Sequence, residues 1–388
     1  MHIGVDATTW QNKRGYGRYI RALLRALLQI DSVNHYTFVT DTALEDVPDG
    51  VEMKLIKASA PTVTAAASDG RRTLRDMWQM SRGLSDPSFD LLLFPTVYSY
   101  VPVLSSARKI VIIYDVIAEK FAHLTLPSFS ARMFWKAKVA MGRYQADSLV
   151  TISDYSRQQI IEYFGLSLDR VFVVDTAHDP LFHRLNQPAV TPHLQSLGFD
   201  ADKPSVVYVG GFGPHKNLEQ LVQVFADLAG QSDFADVQLI MVGEYKKEVF
   251  HSYFKVIQAE VKRLGLADRV IFTGFLPDEE LVVLLNLASV LVLPSLMEGF
   301  GLPAIEAAAC GCPVIATTAS PLPQLLGQGG LFIDPARPNE LHDALTQVLK
   351  SPDLRHRMGQ EASAAASQLT WEASARQMLS VIEKVAPQ

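Results

Sequence analysis

The stretch from Ser289 to Cys312 limits the fold more than any other part of the chain. Val290 to Leu293 is an unbroken run of β-branched and leucine residues, as a parallel strand covered on both faces requires, and Pro294 with Ser295 ends it. Gly299 and Gly301 loosen the backbone. Pro303 suits the first helical position, and small residues from Ala304 to Cys310 continue a helix that stops at Gly311. Strand, glycine loop and helix follow one another, so the amide N–H groups from about Gly299 to Ala304 point past the strand's carboxyl end and form an anion site. Glu298 and Glu306 frame that mouth with seven residues between them. Carboxylates accept hydrogen bonds, so beside a phosphate they suit the hydroxyls of a ligand. Taken alone, Glu306 is equally an ordinary first-turn acid, favoured by about 0.3–1 kcal/mol by the helix dipole. By position alone Glu298 also reads as a solvated loop acid.

With 388 residues, 48% of them hydrophobic, there is ample core for two domains. No apolar run reaches the length of a membrane span; Leu281 to Pro294 comes nearest and is interrupted by Asn286 and Ser289. The first residues enter a strand without a basic and apolar leader, which places the expectation in the cytoplasm. Cys310 and Cys312 are too close for a zinc set or a redox pair and are expected as buried core thiols. A net charge of −6 argues against nucleic acid as a partner. Residues 1–188 carry about +2 and the remainder about −8, so a mildly basic front half is a candidate for anionic lipid headgroups or a phosphorylated acceptor.

Along the chain, His2 to Asp6 reads as a strand, and Gly15-Tyr16-Gly17 leads from Arg18 into an amphipathic helix with Tyr19, Leu23, Leu27 and Ile30 on one face. The glycine pair invites a dinucleotide-binding reading. That reading fails on position, because Ile20 stands where the third glycine belongs and about nine residues separate strand from loop. A mobile loop is expected over Thr62 to Gly70. The helix after it combines Arg71, Arg72, Arg75 and Arg82 with Trp78, which suits either a membrane surface or ordinary packing on its own domain. Asp115 follows the strand ending at Tyr114, at the carboxyl end where ligands of open α/β sheets collect. Pro188 and Pro192 mark a linker between domains. After it, Gly210-Gly211-Phe-Gly-Pro-His215-Lys216-Asn217 follows a strand, a second phosphate candidate that now includes a cation. Standing alone, Lys216 would be a solvated loop lysine.

Glu298-Gly-Phe-Gly-Leu-Pro-Ala-Ile-Glu306, followed by Ala-Cys-Gly-Cys-Pro-Val-Ile-Ala316, resembles the Glu-x7-Glu signature of the retaining glycosyltransferases of family 4, the group 1 glycosyl transferases. The resemblance implies α/β architecture of the GT-B kind, two Rossmann-like doubly wound parallel-sheet domains facing across a cleft. It implies an acceptor-binding domain over 1–188, a donor-binding domain over 189–370, and a helix over 371–388 that returns to the first domain. Donor contacts implied are Glu306 on ribose hydroxyls, Glu298 on the hexose, and the amides of Gly299, Phe300, Gly301 and Leu302 on phosphate and sugar. Gly211, His215 and Lys216 would meet the diphosphate. Gly274, Phe275 and Leu276 resemble the turn that reads the base. Gly15, Gly17 and Arg18 match the family's cleft loop, with Tyr16 replacing an aliphatic residue. Tyr114-Asp115 stands where a His-Asp pair is usual, so the histidine's role does not carry over. Tyrosine cannot shuttle protons near neutral pH.

Catalysis is thus expected from Glu298, Lys216 and Asp115, with no metal and no cofactor. The donor is expected to be a GDP- or UDP-sugar of mannose or glucose type and the acceptor a glycan or lipid-linked glycan in surface polysaccharide assembly, with peripheral membrane contact as a further expectation. Rival expectations are an epimerase or phosphorylase on the same frame, or a two-lobed sugar-binding protein without activity.

Overall fold

The computed structural model describes residues 1–12, 15–58, 73–126, 128–245 and 253–386. The loop expected over 62–70, and Arg71 and Arg72, lie outside the described residues. The chain forms two compact units. One comprises Met1–Lys120, Pro127–Thr176 and Thr370–Gln388, and the other Phe121–Leu126 and Ala177–Leu369. The passage between them falls at Thr176, twelve residues before the proline-rich segment where sequence places the boundary. The reason is local packing within the second unit. Phe182 is buried, and Asn286 holds the segment at both ends, donating to the His183 carbonyl at 3.0 Å and accepting from the Leu185 amide at 2.8 Å.

In the first unit, strands β1 (His2–Asp6), β2 (His35–Thr40), β3 (Glu52–Leu55), β4 (Leu91–Phe94), β5 (Arg108–Ile112), β6 (Ser148–Thr151) and β7 (Val171–Val173) make one sheet, all parallel, in the order β3-β2-β1-β4-β5-β6-β7. Strand β4 reads Leu-Leu-Leu-Phe, all buried, as expected of a strand covered on both faces. The helix Gly15–Ile30 turns Ile20, Leu23, Leu24 and Leu27 inward. These pack in one core with Ala375, Met378, Val381 and Ile382 of the last helix, Trp371–Val385. Each such fully buried aliphatic side chain is worth about 1.5–3 kcal/mol over its exposed state. Thr370 caps the last helix by accepting from the Ala373 amide, and Gln377 exchanges two 2.8 Å hydrogen bonds with Asp175.

In the second unit, β8 (Ser205–Val209), β9 (Gln238–Val242), β10 (Val270–Gly274), β11 (Val290–Leu293), β12 (Val314–Thr317) and β13 (Gly330–Ile333) form a parallel sheet in the order β10-β9-β8-β11-β12-β13. Strand order reverses between β8 and β11, whose contact is set by the pairs Val290 with Val206 and Leu291 with Val207. The carboxyl ends of strands at such a reversal are where open α/β sheets bind ligands. Glycines let backbones meet there. A Cβ on Gly243 would stand 1.9 Å from the Gly210 carbonyl oxygen, and the Gly243 amide donates to the Gly274 carbonyl at 3.0 Å. The two resulting sheets are the Rossmann-like pair of the GT-B architecture.

The helix Leu302–Ala309 is fixed from behind by the helix Pro352–Ala366. At Gly359 the latter approaches so closely that a Cβ would lie 2.2 Å from the Gly311 carbonyl oxygen. Alanine gains about 1 kcal/mol over glycine in helix propensity, but here the obstacle is backbone. We expect Gly359→Ala to lower the unfolding free energy by about 1–3 kcal/mol, read from urea denaturation; an unchanged or raised midpoint would contradict the contact.

Candidate active site

At the carboxyl end of β8 the chain runs Gly210-Gly211-Phe212-Gly213 into a short turn, Pro214–Lys216. Tyr208 anchors this loop by donating its hydroxyl to the Gly211 carbonyl at 2.6 Å, and Phe212 is buried beneath it. Asn217, at φ +58°, ends the turn and starts the helix Leu218–Ala229. Its side-chain amide donates to the carbonyls of Pro294 and Pro335, both at 3.2 Å, tying the loop to the segments after β11 and β13. Asparagine fits here because it tolerates the left-handed conformation and brings its own donors.

Across the reversal, β11 ends at Leu293 and the chain continues through Ser295 to Glu298. The Leu296 amide donates to the His215 carbonyl at 2.9 Å, and the Glu298 amide to the Ala319 carbonyl at 3.0 Å. The two loops therefore share backbone as well as side-chain contacts. Lys216 Nζ lies 2.7 Å from Glu298 Oε1, and Ser295 Oγ donates to the same oxygen at 2.6 Å. Glu298 is 8% exposed. It is not the solvated loop acid its position alone suggested, nor is Lys216 a free loop lysine.

Burial pushes the Glu298 carboxyl upward, yet the nearby Lys216 ammonium, its hydrogen bond and the Ser295 hydroxyl outweigh it and hold the group below the usual glutamate range. His215 moves the same way for a different reason. Burial, and then the Lys216 charge, push its imidazole down to about 4, against a smaller upward pull from Glu298. Its Nδ1 is buried and has no hydrogen-bond partner among the described residues. A neutral imidazole with an unused ring nitrogen thus sits beside a cation.

The helix Leu302–Ala309 opens after Gly301, which takes φ +85°. Leucine and not Pro303 is its first residue. The Ala304 amide donates to the Gly301 carbonyl at 2.9 Å, so it leaves the set of outward-pointing N–H groups expected from Gly299 to Ala304. Phe300 is buried at 3% and packs as core, which leaves only its main chain for a ligand. Glu306 is 3% exposed, and its charge contributes to pushing the Cys310 thiol up to about 12, after burial itself. Both cysteines are free and buried. At the end of β10, Gly274 takes φ +73°, Phe275 is 62% exposed and Leu276 is buried.

The first unit holds the other expected residues. Gly15 is the first residue of its helix, and a Cβ there would meet nothing. Gly17 is the constrained one, because a Cβ would fall 2.0 Å from the Asn12 carbonyl oxygen. Tyr16 stacks on Tyr98 at 5.5 Å between ring centroids and receives the Asn12 side-chain amide on its hydroxyl. Arg18 is half-buried on the following turn. Tyr114 donates its hydroxyl to the Pro95 carbonyl at 2.8 Å and meets Tyr19 edge-on, and burial raises its phenol well above the usual value. Asp115 Oδ1 accepts from the Ile117 amide at 2.9 Å.

Sequence reading assigned no role to four residues. Ser295 and Asn217 have only their spacing from Glu298 and Lys216 to flag them. Asp6, at the carboxyl end of β1, is fully buried and accepts from Thr8 and from Ser99 Oγ at 2.6 Å. An acid closing an apolar strand was its signal. Glu119 is the fourth: it accepts from Trp135 Nε1 at 2.8 Å, and burial raises its carboxyl to about 7. Among the described residues no three His, Cys, Asp or Glu side chains cluster as a metal site.

Residues 191–365 match the family described as glycosyl transferases group 1. Over 404 aligned residues the chain is 25% identical to the serotype-specific mannosyltransferase WbdA of Escherichia coli, covering 96% of this chain and 46% of the relative. It is 30% identical over 227 residues to the O-antigen chain mannosyltransferase B of Escherichia coli, covering 58% of each. The chain thus spans about half the length of the curated relatives it matches. Among solved structures it is similar to sucrose-phosphate synthase from Thermosynechococcus elongatus, with a TM-score of 0.74 at 20% identity over 99% of both chains.

The two titrations beside Lys216 set in at different pH. Since the folded His215 resists protonation until about pH 4 and the unfolded imidazole takes its proton near 6.5, stability falls as pH drops across that interval. Glu298, lowered in the folded state, contributes above the ordinary glutamate value and is lost only as pH falls through its folded value. We expect His215→Gln to flatten the loss between pH 6.5 and 4 in urea titrations while leaving the loss at lower pH. A slope unchanged in the variant would refute the buried neutral histidine.

Proposed function

We propose, from the match of residues 191–365 to the glycosyl transferases group 1 family, that this chain transfers a hexose of mannose or glucose type, with retention, from a nucleotide-diphosphate sugar to a glycan or lipid-linked acceptor in surface polysaccharide assembly. The observation that carries this reading is the buried Lys216–Glu298 pair at the strand reversal of the second sheet. Breaking the bond between sugar and phosphate loads negative charge onto the nucleotide diphosphate. A fixed ammonium and the N-terminal dipoles of the helix Leu302–Ala309 stabilise that charge more as it develops than before, which lowers the barrier. In this proposal no metal is needed for that step. His215 Nδ1 gains an acceptor when phosphate arrives, and the added negative charge draws a proton onto its imidazole.

Glu298 then exchanges part of its bond with Lys216 for hydroxyls of the hexose. Its suppressed protonation keeps it an acceptor at neutral pH. Glu306 takes the ribose hydroxyls, and the main chain of Gly274 to Leu276 reads the base, with GDP and UDP as the donor nucleotides. The first unit serves the acceptor through the loop at Tyr16 to Arg18 and through Asp115. The mannosyltransferase relatives support the choice of sugar and of polysaccharide assembly.

The test is nucleotide release from a panel of UDP-, GDP- and ADP-sugars, with and without oligosaccharide acceptors, followed by NMR of the product anomer. One base is expected to dominate, with retained configuration. Glu298→Gln, which keeps the shape and a bond to Ser295, is expected to lower kcat by about 10²–10³ while donor still binds. Inverted product would sink retention, and release in full without an acceptor would point to donor breakdown instead of transfer.

A further inference from the structure

The helix Phe129–Gln145 is oriented against the usual rule, with its apolar arc facing solvent. Ser128 caps it by accepting from the Ala131 amide, and its inner face is secured by the buried Val139 and Gly142 and by Trp135, which donates to Glu119. That anchoring leaves Phe129 at 77%, Met133 at 50%, Phe134 at 59%, Met141 at 43% and Tyr144 at 85% exposure, with Ala137 and Ala140 exposed among them. At 3.6 residues per turn these positions fall in one arc of roughly 140°. Scattered exposed apolar residues need no explanation, but a contiguous set on one helix does.

Charge identifies what covers it. The helix carries Arg132, Lys136, Lys138 and Arg143 and no acidic residue, although the chain as a whole is acidic. Arg132, Lys136 and Arg143 border the arc on one side, with Lys136 fully outward and the two arginines half-buried. Lys138 borders the other side and donates to the Tyr98 carbonyl. Pairing with a second copy through this face would bring identical basic borders together. An apolar arc edged by cations is suited to lying in the plane of an anionic bilayer, with rings and thioethers in the acyl boundary and ammonium groups among the headgroups.

We propose that the outer face of Phe129–Gln145 is a docking surface for an anionic lipid membrane. It differs from the helix around Trp78 that the sequence suggested, and it stands independently of which sugar is transferred, or whether one is.

The test uses the full chain and vesicles of phosphatidylcholine, with or without phosphatidylglycerol, in a flotation assay without donor or acceptor. Failure here therefore leaves the glycosyltransferase reading untouched, and failure of that reading leaves this one untouched. Expected is binding to the anionic vesicles that weakens with salt, and a loss of at least about tenfold in partitioning for Met133→Ser/Phe134→Ser and for Lys136→Glu. All three positions are exposed, so unfolding midpoints should match the parent. Absence of binding, equal binding to neutral vesicles, or unaltered binding by the variants overturns the proposal. So does self-association that the same variants abolish without any vesicle binding, which would assign the face to a second copy.

Discussion

An ammonium and a carboxylate held 2.7 Å apart and mostly out of water are the contact around which the loops at the second unit's strand reversal are built. Such a pair gives little net stability, because desolvation offsets attraction, whereas removing one partner alone strands a buried charge. The fold accepts that arrangement because backbone contacts already fix both loops. The His215 and Ala319 carbonyls receive amides from the Leu296–Glu298 segment, and Asn217 locks the neighbouring turn to strand ends. Side chains with a strong preference for water are thereby kept in place, and in the proposed reaction an anionic donor draws the cation away and leaves the carboxylate to sugar hydroxyls.

Strand and helix placement was largely legible from the sequence because parallel strands covered on both faces leave unmistakable apolar runs. Val290–Leu293 and Leu91–Phe94 announce themselves. The glycine loops at Gly210 and Gly299 were equally legible as strand-to-helix turns. What sequence could not give was pairing across the chain. Lys216 and Glu298 are 82 residues apart, and only the order β8-β11 makes them neighbours. Nor could sequence show which amides of the Gly299–Ala304 mouth remain available, since Ala304 closes back onto Gly301.

The unit boundary shows the same limit. Pro188 and Pro192 have the composition of a linker, yet the chain has already joined the second unit at Ala177 because Phe182 finds its burial there and Asn286 reaches out to hold the backbone. Composition reports backbone preference, whereas a boundary is decided by which core receives the side chains. The helix Phe129–Gln145 shows a related limit. Trp135 and Val139 provide an apolar inner face, and its outer face is apolar too, so periodicity alone cannot tell which side meets the sheet.

One feature of the first unit bears on biogenesis. Its core is shared between the helix Gly15–Ile30 and the helix Trp371–Val385, with every residue of the second unit's main body in between. On the ribosome, Leu23, Leu27 and their neighbours therefore emerge hundreds of codons before Met378 and Ile382 can cover them. The later-translated sheet can complete its own packing first, leaving the earlier one greasy on one flank throughout elongation. Premature termination just after Leu369, before the last helix is made, would release a polypeptide with one finished half and one sticky half, a natural client for chaperones and proteases.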